Sequence, residues 1–221
     1  MAQLLSQDCR KRREAYLHPS WLASYVSGEK QCELGLFLQA QFILPKQKTS
    51  FDLANYKQKH QALLKKISQD YQNWGYQTFV EEANEYQIKS KSGATISCRP
   101  DLVAIKDDKA IVVDVKTGGV KLKDYAQVQL YMSTIPIAAL HGIQSIPHGE
   151  IIYQDCGSSE ITPSEITTEW QSEVAKLIQV ASGSKMPKPN PSISECRYCS
   201  AASVCISKKT EHIKAATADW L

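Results

Sequence analysis

Two β-type runs, each carrying one aspartate, constrain this chain more than any other feature. Residues 94–106 alternate in polarity and then turn apolar, and residues 110–115 show the β-branched pattern of a buried strand. Residues 107–108, both aspartates, predict a turn between the two runs. Two strands joined in this way would bring Asp101 and Asp114 to the same place.

Asp114 interrupts a run in which packing alone favours an apolar side chain. Burying a lone carboxylate is costly unless a cation or hydrogen-bond donors meet it. Lys116 follows two positions later, and strand alternation places both side chains on one face. The sequence therefore predicts a carboxylate and an ammonium side by side at a strand end, although a surface ion pair is the alternative interpretation of so short a pattern.

Three further features accompany this pair: Pro100 before the first acid, the Thr-Gly-Gly of residues 117–119, and Gln127 with Tyr131 four positions apart in a predicted helix. With these features the chain resembles the PD-(D/E)xK nucleases, and within them the RecB-like branch. That branch has an aspartate, here Asp101, then the motif D-x-K-T-G, here residues 114–118, and then Q-x-x-x-Y, here residues 127–131. The resemblance implies an α/β fold with a restriction-endonuclease-like core, in which helices flank a central mixed β-sheet.

The resemblance also implies a site for Mg²⁺ or Mn²⁺, hard cations that prefer oxygen ligands. Its expected ligands are His60, Asp101, Asp114 and the backbone carbonyl of Val115. Lys116 would position or deprotonate the attacking water, and Gln127 and Tyr131 would face the metal site and a DNA phosphate. A helix that only packs its tyrosine on the sheet is the alternative for the last two residues.

His60 lies in a helix predicted over residues 51–74, whose apolar side includes Leu53, Tyr56, Leu64 and other residues at helical spacing. On pattern alone, a histidine on such a side is a packed core residue. RecB-like nucleases, which carry a metal-binding histidine on the helix before the sheet, support the ligand interpretation instead.

Seven cysteines in a chain with no signal peptide or apolar span indicate a reducing, cytoplasmic setting and metal ligation rather than disulfides. Cys196, Cys199 and Cys205 have the spacing C-x2-C-x5-C, which predicts three ligands to one centre. A fourth ligand is needed. Cys32 is the best candidate and Cys9 the reserve.

One early cysteine and three late ones resemble the iron-sulfur members of the RecB-like branch, the CRISPR-associated exonucleases and AddB-type subunits. The resemblance favours a 4Fe-4S cluster held by Cys32, Cys196, Cys199 and Cys205, and zinc is the alternative because four cysteines also satisfy it. The remaining two, Cys98 and Cys156, are predicted to be packed free thiols.

With 221 residues and 43% hydrophobic composition, the chain has the size of one domain with appendages. We expect an N-terminal helical segment that supplies a cluster cysteine (residues 1–50), the nuclease core (51–181), and a connector with the cysteine module (182–221). Residues 1–20 are expected to be peripheral. The net charge of +3 does not by itself indicate a nucleic-acid partner.

The expected activity is a metal-dependent DNA exonuclease acting on single-stranded DNA or overhangs, in CRISPR spacer-precursor processing or in DNA repair. Its candidate partners are DNA, a CRISPR integrase or repair proteins, and a second copy of the chain, with no membrane. A non-catalytic DNA-binding or assembly subunit with the same fold is the alternative. Redox sensing would need only the cysteines and leaves the Asp-Lys set unexplained.

Overall fold

The computed structural model describes residues 9–45 and 51–210. Its α-helices within those residues are α1 (Pro19–Val26), α2 (Glu33–Gln41), α3 (Leu53–Asn73), α4 (Leu122–Ala138), α5 (Thr168–Ser182) and α6 (Ile193–Arg197). Its strands are β1 (Arg10–Lys11), β2 (Tyr16–Leu17), β3 (Phe42–Ile43), β4 (Gln77–Val80), β5 (Tyr86–Lys89), β6 (Thr95–Cys98), β7 (Leu102–Lys106), β8 (Lys109–Lys116), β9 (His148–Tyr153) and β10 (Gly157–Ile161).

A five-stranded sheet in the order β10-β9-β8-β7-β4 forms the centre of the molecule. Strands β8 and β9 are parallel and the other neighbours are antiparallel, so the sheet is mixed. Alternation along β8 directs Val112 into the main core with α4, and Val113 and Val115 into a smaller core with α3. The predicted α/β architecture, a mixed sheet flanked by helices, is confirmed.

A second sheet, β2-β6-β5, changes two of the expectations from sequence. The run over residues 94–106 is not one strand, because it breaks before Pro100 into β6 and β7, which belong to different sheets. Proline has no N–H to donate to a ladder, which explains the break. The peripheral placement of residues 1–20 was wrong for their described part, because β2 pairs with β6 and Leu17 is fully buried.

Helix α3 begins and ends close to the predicted bounds, but only its C-terminal half packs on the sheet. Leu64, Ile67 and Tyr71 are buried against β7 and β8. Leu53 and Tyr56, which were expected on the packed side, are 54% and 38% exposed because the helix extends past the sheet.

The parts of the predicted terminal segments at residues 1–8, 46–50 and 211–221 lie outside the described residues. Of the two cysteines expected to be packed, Cys98 is buried, but Cys156 is exposed in the turn between β9 and β10. No helix in the described ranges has the length and apolarity needed to cross a membrane.

Candidate active site

The two aspartates from the paired β-type runs meet at one end of the central sheet. Strands β7 and β8 are antiparallel, and Leu102 faces Val113 in their register. One more step in this register sets Asp101 opposite Asp114, so the two acids occupy neighbouring strands at the same level. Helix α3 covers one face of this pair of strands and α4 covers the other.

Asp114 is a buried carboxylate, with 1% of its surface exposed. Its Oδ1 accepts a hydrogen bond from Gln127 Nε2 at 3.1 Å. Its Oδ2 lies 2.5 Å from Lys116 Nζ but receives no well-directed hydrogen bond from any group. Burial raises the pKa of Asp114 to about 7, and Lys116 opposes that rise. The predicted ion pair is therefore internal, and Asp114 Oδ2 is held by the charge of Lys116 rather than by a well-directed hydrogen bond.

Asp124, which was not singled out from the sequence, is a second carboxylate beside Lys116. It is 4% exposed in the first turn of α4, with Oδ1 3.9 Å from Lys116 Nζ. Tyr153 donates its hydroxyl hydrogen bond to Asp124 Oδ2 at 3.4 Å. Burial lowers the pKa of Lys116, but the attraction of Asp114 and Asp124 outweighs it, so the pKa lies above its ordinary value. Lys116 is therefore a cation at neutral pH.

Gln127 and Tyr131 do share one face of α4, as their spacing predicted. Gln127 Nε2 contacts both Asp114 and the Tyr131 hydroxyl, the latter at 3.2 Å. Tyr131 is 5% exposed and donates to the backbone carbonyl of Arg99 at 3.3 Å. The pair connects α4 to Asp114 and to the segment that carries Asp101.

His60 reaches the site from α3 and contacts the first acid. Its Nε2 lies 3.2 Å from Asp101 Oδ2, and the same oxygen accepts a hydrogen bond from the backbone N–H of Val115 at 2.9 Å. The hydrogen bond to Asp101 raises the pKa of His60, against the effect of burial. His60 is thus held at the site rather than in the apolar core, and the part played by the Val115 carbonyl stays a prediction.

A buried amide holds the backbone beside Asp101. Asn84 is fully buried, and its Nδ2 donates to the carbonyls of Phe79 and Pro100 at 2.7 and 3.3 Å. Its Oδ1 accepts from His141 Nε2 at 2.9 Å. Asn84 therefore ties together two chain segments that flank the first acid. Nothing in its sequence context distinguished it from a surface turn residue.

The four cysteines expected to form one centre line a single small cavity of about 20 Å³. Cys196 and Cys199 come from α6 and the turn after it, Cys205 from the following loop, and Cys32 from the residue before α2. Cys9 packs against the same apolar cluster but does not line the cavity. Burial raises the pKa of both Cys199 and Cys205. The four predicted cysteines therefore lie around one cavity, and the one from the N-terminal part of the chain is Cys32 rather than Cys9.

Glu195 and Gly35 bring the two ends of the cysteine set together. Glu195 Oε1 accepts hydrogen bonds from the backbone N–H groups of Gln31 and Cys32 at 3.2 and 2.8 Å. A Cβ on Gly35 would lie 3.0 Å from Tyr25 Oη and 3.4 Å from Cys199 Sγ, so the tight contact that glycine avoids is with the tyrosine, and the thiol lies just beyond it. The carboxylate also lies at the N-terminus of α2, where the helix dipole favours a negative charge.

Neither constellation is already arranged as a metal site. Over residues 9–45 and 51–210, no group of three or more His, Cys, Asp or Glu side chains is placed so that it could hold a metal ion. At the acidic site the side chains are instead paired with Lys116 and His60. Binding of a metal would therefore require those pairs to exchange partners.

Comparison with known proteins identifies a family and includes similarity to a solved structure. A family model described as the PD-(D/E)XK nuclease superfamily matches residues 33–206. The crystal structure of SSO0001 is similar with a TM-score of 0.48 and 17% sequence identity, and the match covers 91% of this chain and 91% of that chain. No curated protein sequence matches the chain significantly.

Proposed function

The chain belongs to the PD-(D/E)XK nuclease superfamily, and on that basis we propose that it is a DNA exonuclease acting on single-stranded DNA or overhangs. Membership implies a nuclease that depends on a divalent metal ion. The observation that carries the proposal is that Asp101 and Asp114 lie at one level of adjacent strands, with the Lys116 ammonium 2.5 Å from Asp114 Oδ2.

Asp101 and Asp114, with His60 and the carbonyl of Val115, would hold Mg²⁺ or Mn²⁺. The donor chemistry fits, because carboxylate oxygens suit hard cations and Asp114 Oδ2 has no well-directed donor. When bound, the ion polarises the scissile phosphate and lowers the pKa of a coordinated water. Gln127 and the Val115 N–H fix the two carboxylates in position, since they donate to Asp114 and Asp101.

Lys116 would position or deprotonate the attacking water and stabilise the developing negative charge. In the metal-free protein Asp114 and Asp124 hold its pKa above the ordinary value, so it is a cation and a hydrogen-bond donor beside the two acids. Tyr131 supports the arrangement indirectly, through Gln127 and the Arg99 carbonyl.

The proposal includes a 4Fe-4S cluster held by Cys32, Cys196, Cys199 and Cys205, with zinc as the alternative, and the shared cavity that these four residues line supports it. Thiolate chemistry suits either group, but the four sulfurs would have to move into place around it, because the described residues hold no ready metal site. Binding would release the thiol protons of Cys199 and Cys205, whose pKa is raised by burial. The same proposal places the chain in the iron-sulfur branch and in the cytoplasm. It also includes a role in CRISPR or in DNA repair, with an integrase, repair proteins or a second copy of the chain as partner. Iron, sulfide and zinc content after purification without oxygen distinguishes the two metals.

The activity is tested with a labelled single-stranded oligonucleotide and added Mg²⁺ or Mn²⁺. We expect metal-dependent cleavage by the wild-type protein, loss of cleavage in Asp114→Asn and Lys116→Met, and normal cleavage in Asp108→Asn. The last variant is a matched control, because Asp108 lies in the exposed turn between β7 and β8. Equal cleavage by all four proteins would overturn the assignment, and no cleavage by any would favour the non-catalytic DNA-binding alternative.

A further inference from the structure

The N-terminal end of α3 exposes an apolar and aromatic surface next to the candidate active site. Phe51, Leu53 and Tyr56 are 58%, 54% and 38% exposed. The helix is nevertheless well formed here, because Asp52 accepts a hydrogen bond from the Asn55 N–H at 3.0 Å and caps it. A group of exposed apolar and aromatic side chains at one end of an ordered helix is the kind of patch that marks an interaction site.

The rings form a row that leads into the site. The Phe51 and Tyr56 ring centroids are 5.5 Å apart, and those of Tyr56 and His60 are 5.9 Å apart. His60 in turn contacts Asp101. Partial burial raises the pKa of Tyr56, and Lys116 and Asp101 are close enough to affect it electrostatically. A ligand lying on these rings would therefore be continuous with the position of the reacting phosphate.

The charge on the same turns suits a polyanion. Lys57 and Lys59 are exposed on the first turns of α3, while the acid of this segment, Asp52, is engaged in capping the helix. Aromatic rings interleaved with lysines are the combination that binds nucleic acid strands, because bases stack on the rings and phosphates are attracted to the cations.

We propose that Phe51 and Tyr56 form a stacking subsite for unpaired nucleobases of a single strand that enters the active site along α3. The inference rests on the proposed function, which supplies the cleavage position, and it specifies how the strand is selected. Bases in a duplex have both faces covered by their neighbours, whereas unpaired bases present a free face to a ring. The subsite therefore favours single-stranded ends over blunt duplex ends.

The test measures binding without catalysis. The affinity of the full chain for a fluorescent single-stranded oligonucleotide is measured by anisotropy in EDTA, for wild type, Phe51→Leu and Tyr56→Leu. We expect about 5- to 150-fold weaker binding for each ring removed, the range found for single stacked bases. Trp74→Leu is the matched control, because Trp74 is a 60% exposed aromatic residue at the opposite end of α3. Its binding should equal that of wild type.

An oligonucleotide with abasic positions separates stacking from a structural effect. Wild type should bind it as weakly as a Phe51→Leu/Tyr56→Leu double variant binds the intact strand, and the double variant should bind both strands equally. Each single variant keeps one ring, so its loss of affinity on the abasic strand should be smaller than that of wild type. Tyr56→Phe, which keeps the ring, should bind as tightly as wild type. If Tyr56→Leu proves unstable in thermal melting, the conclusion is drawn from Phe51→Leu. The proposal would be overturned if both leucine variants bound the intact strand as tightly as wild type. It would also be overturned if the variants lost as much affinity, relative to wild type, on the abasic strand as on the intact strand.

The two proposals fail separately. Ring-dependent binding with no metal-dependent cleavage by wild type would retain the stacking subsite and remove the nuclease activity. Cleavage that depends on Asp114, together with binding that does not depend on the rings, would retain the nuclease activity and remove the stacking subsite.

Discussion

Replacing Gly149 with alanine should weaken both the fold and the active site, because this glycine sets the distance between α4 and the central sheet. A Cβ at position 149 would lie 2.6 Å from Met132 Sδ, 2.6 Å from Val128 Cγ1 and 3.3 Å from Ile161 Cβ. The Met132 side chain is flexible enough to move away. Val128 is β-branched and stiff, so α4 itself must retreat.

The size of the effect follows from these distances. Non-bonded carbon atoms prefer a separation of roughly 3.5–4.0 Å, so α4 must move by about 1 Å. Overpacking of this kind costs ~1–3 kcal/mol, which for a chain of this length lowers the melting temperature by about 2–12 °C. A shift of about 1 Å along the bond from Gln127 to Asp114, now 3.1 Å, would break it.

The assay is thermal unfolding together with single-turnover cleavage. We expect Gly149→Ala to lose stability as calculated and to cleave up to ~100-fold more slowly, since misplacement by about 1 Å can cost that much. Gly119→Ala is the control, because a Cβ there meets no atom within 4 Å. A Gly149→Ala protein as stable and as active as Gly119→Ala would refute the reasoning that α4 is held at its closest approach.

Three further outcomes are expected. Asn84→Ala should lower the free energy of unfolding by about 1–3 kcal/mol and reduce kcat, measured by denaturant titration and cleavage, because it leaves the Pro100 carbonyl without its side-chain donor. Asp114 has a raised pKa in the folded, metal-free state, so its contribution to stability is full below about pH 4 and is lost as the pH rises through about 7. Melting in EDTA should show this decline in wild type and not in Asp114→Asn. Cys32→Ser should lower the bound metal per chain in elemental analysis, whereas Cys98→Ser, which is outside the cavity, should not.

The paired acids and the helices around them could be predicted from sequence because their signals are local. The β-branched run of residues 110–115 and the aspartates of the turn define β7 and β8, and the residue spacing of Gln127 and Tyr131 defines one face of α4. Asp124 escaped notice because an acid in the first turn of a helix is usually explained by the helix dipole. Its hydrogen bond comes from Tyr153 on β9, a contact between distant segments that the sequence does not show.

Other features depend on contacts between distant segments and leave no local pattern. Strand β2 has two residues, too few to show periodicity, although Leu17 is part of the main core. The apolar spacing in α3 continues beyond the edge of the sheet, so residues that look like core positions are exposed. The role of Asn84 arises from carbonyls on two other segments.

The hydrogen bonds from Gln31 and Cys32 to Glu195 have a consequence for how the protein matures. One half of the cysteine cavity is synthesised early and the other half only after the whole central sheet. During translation Cys32 is therefore synthesised well before Cys196, Cys199 and Cys205, the other cysteines of the cavity. An inorganic group that needs all four thiols could be held only after Cys205 has been synthesised, and by then every strand of the central sheet has been synthesised as well.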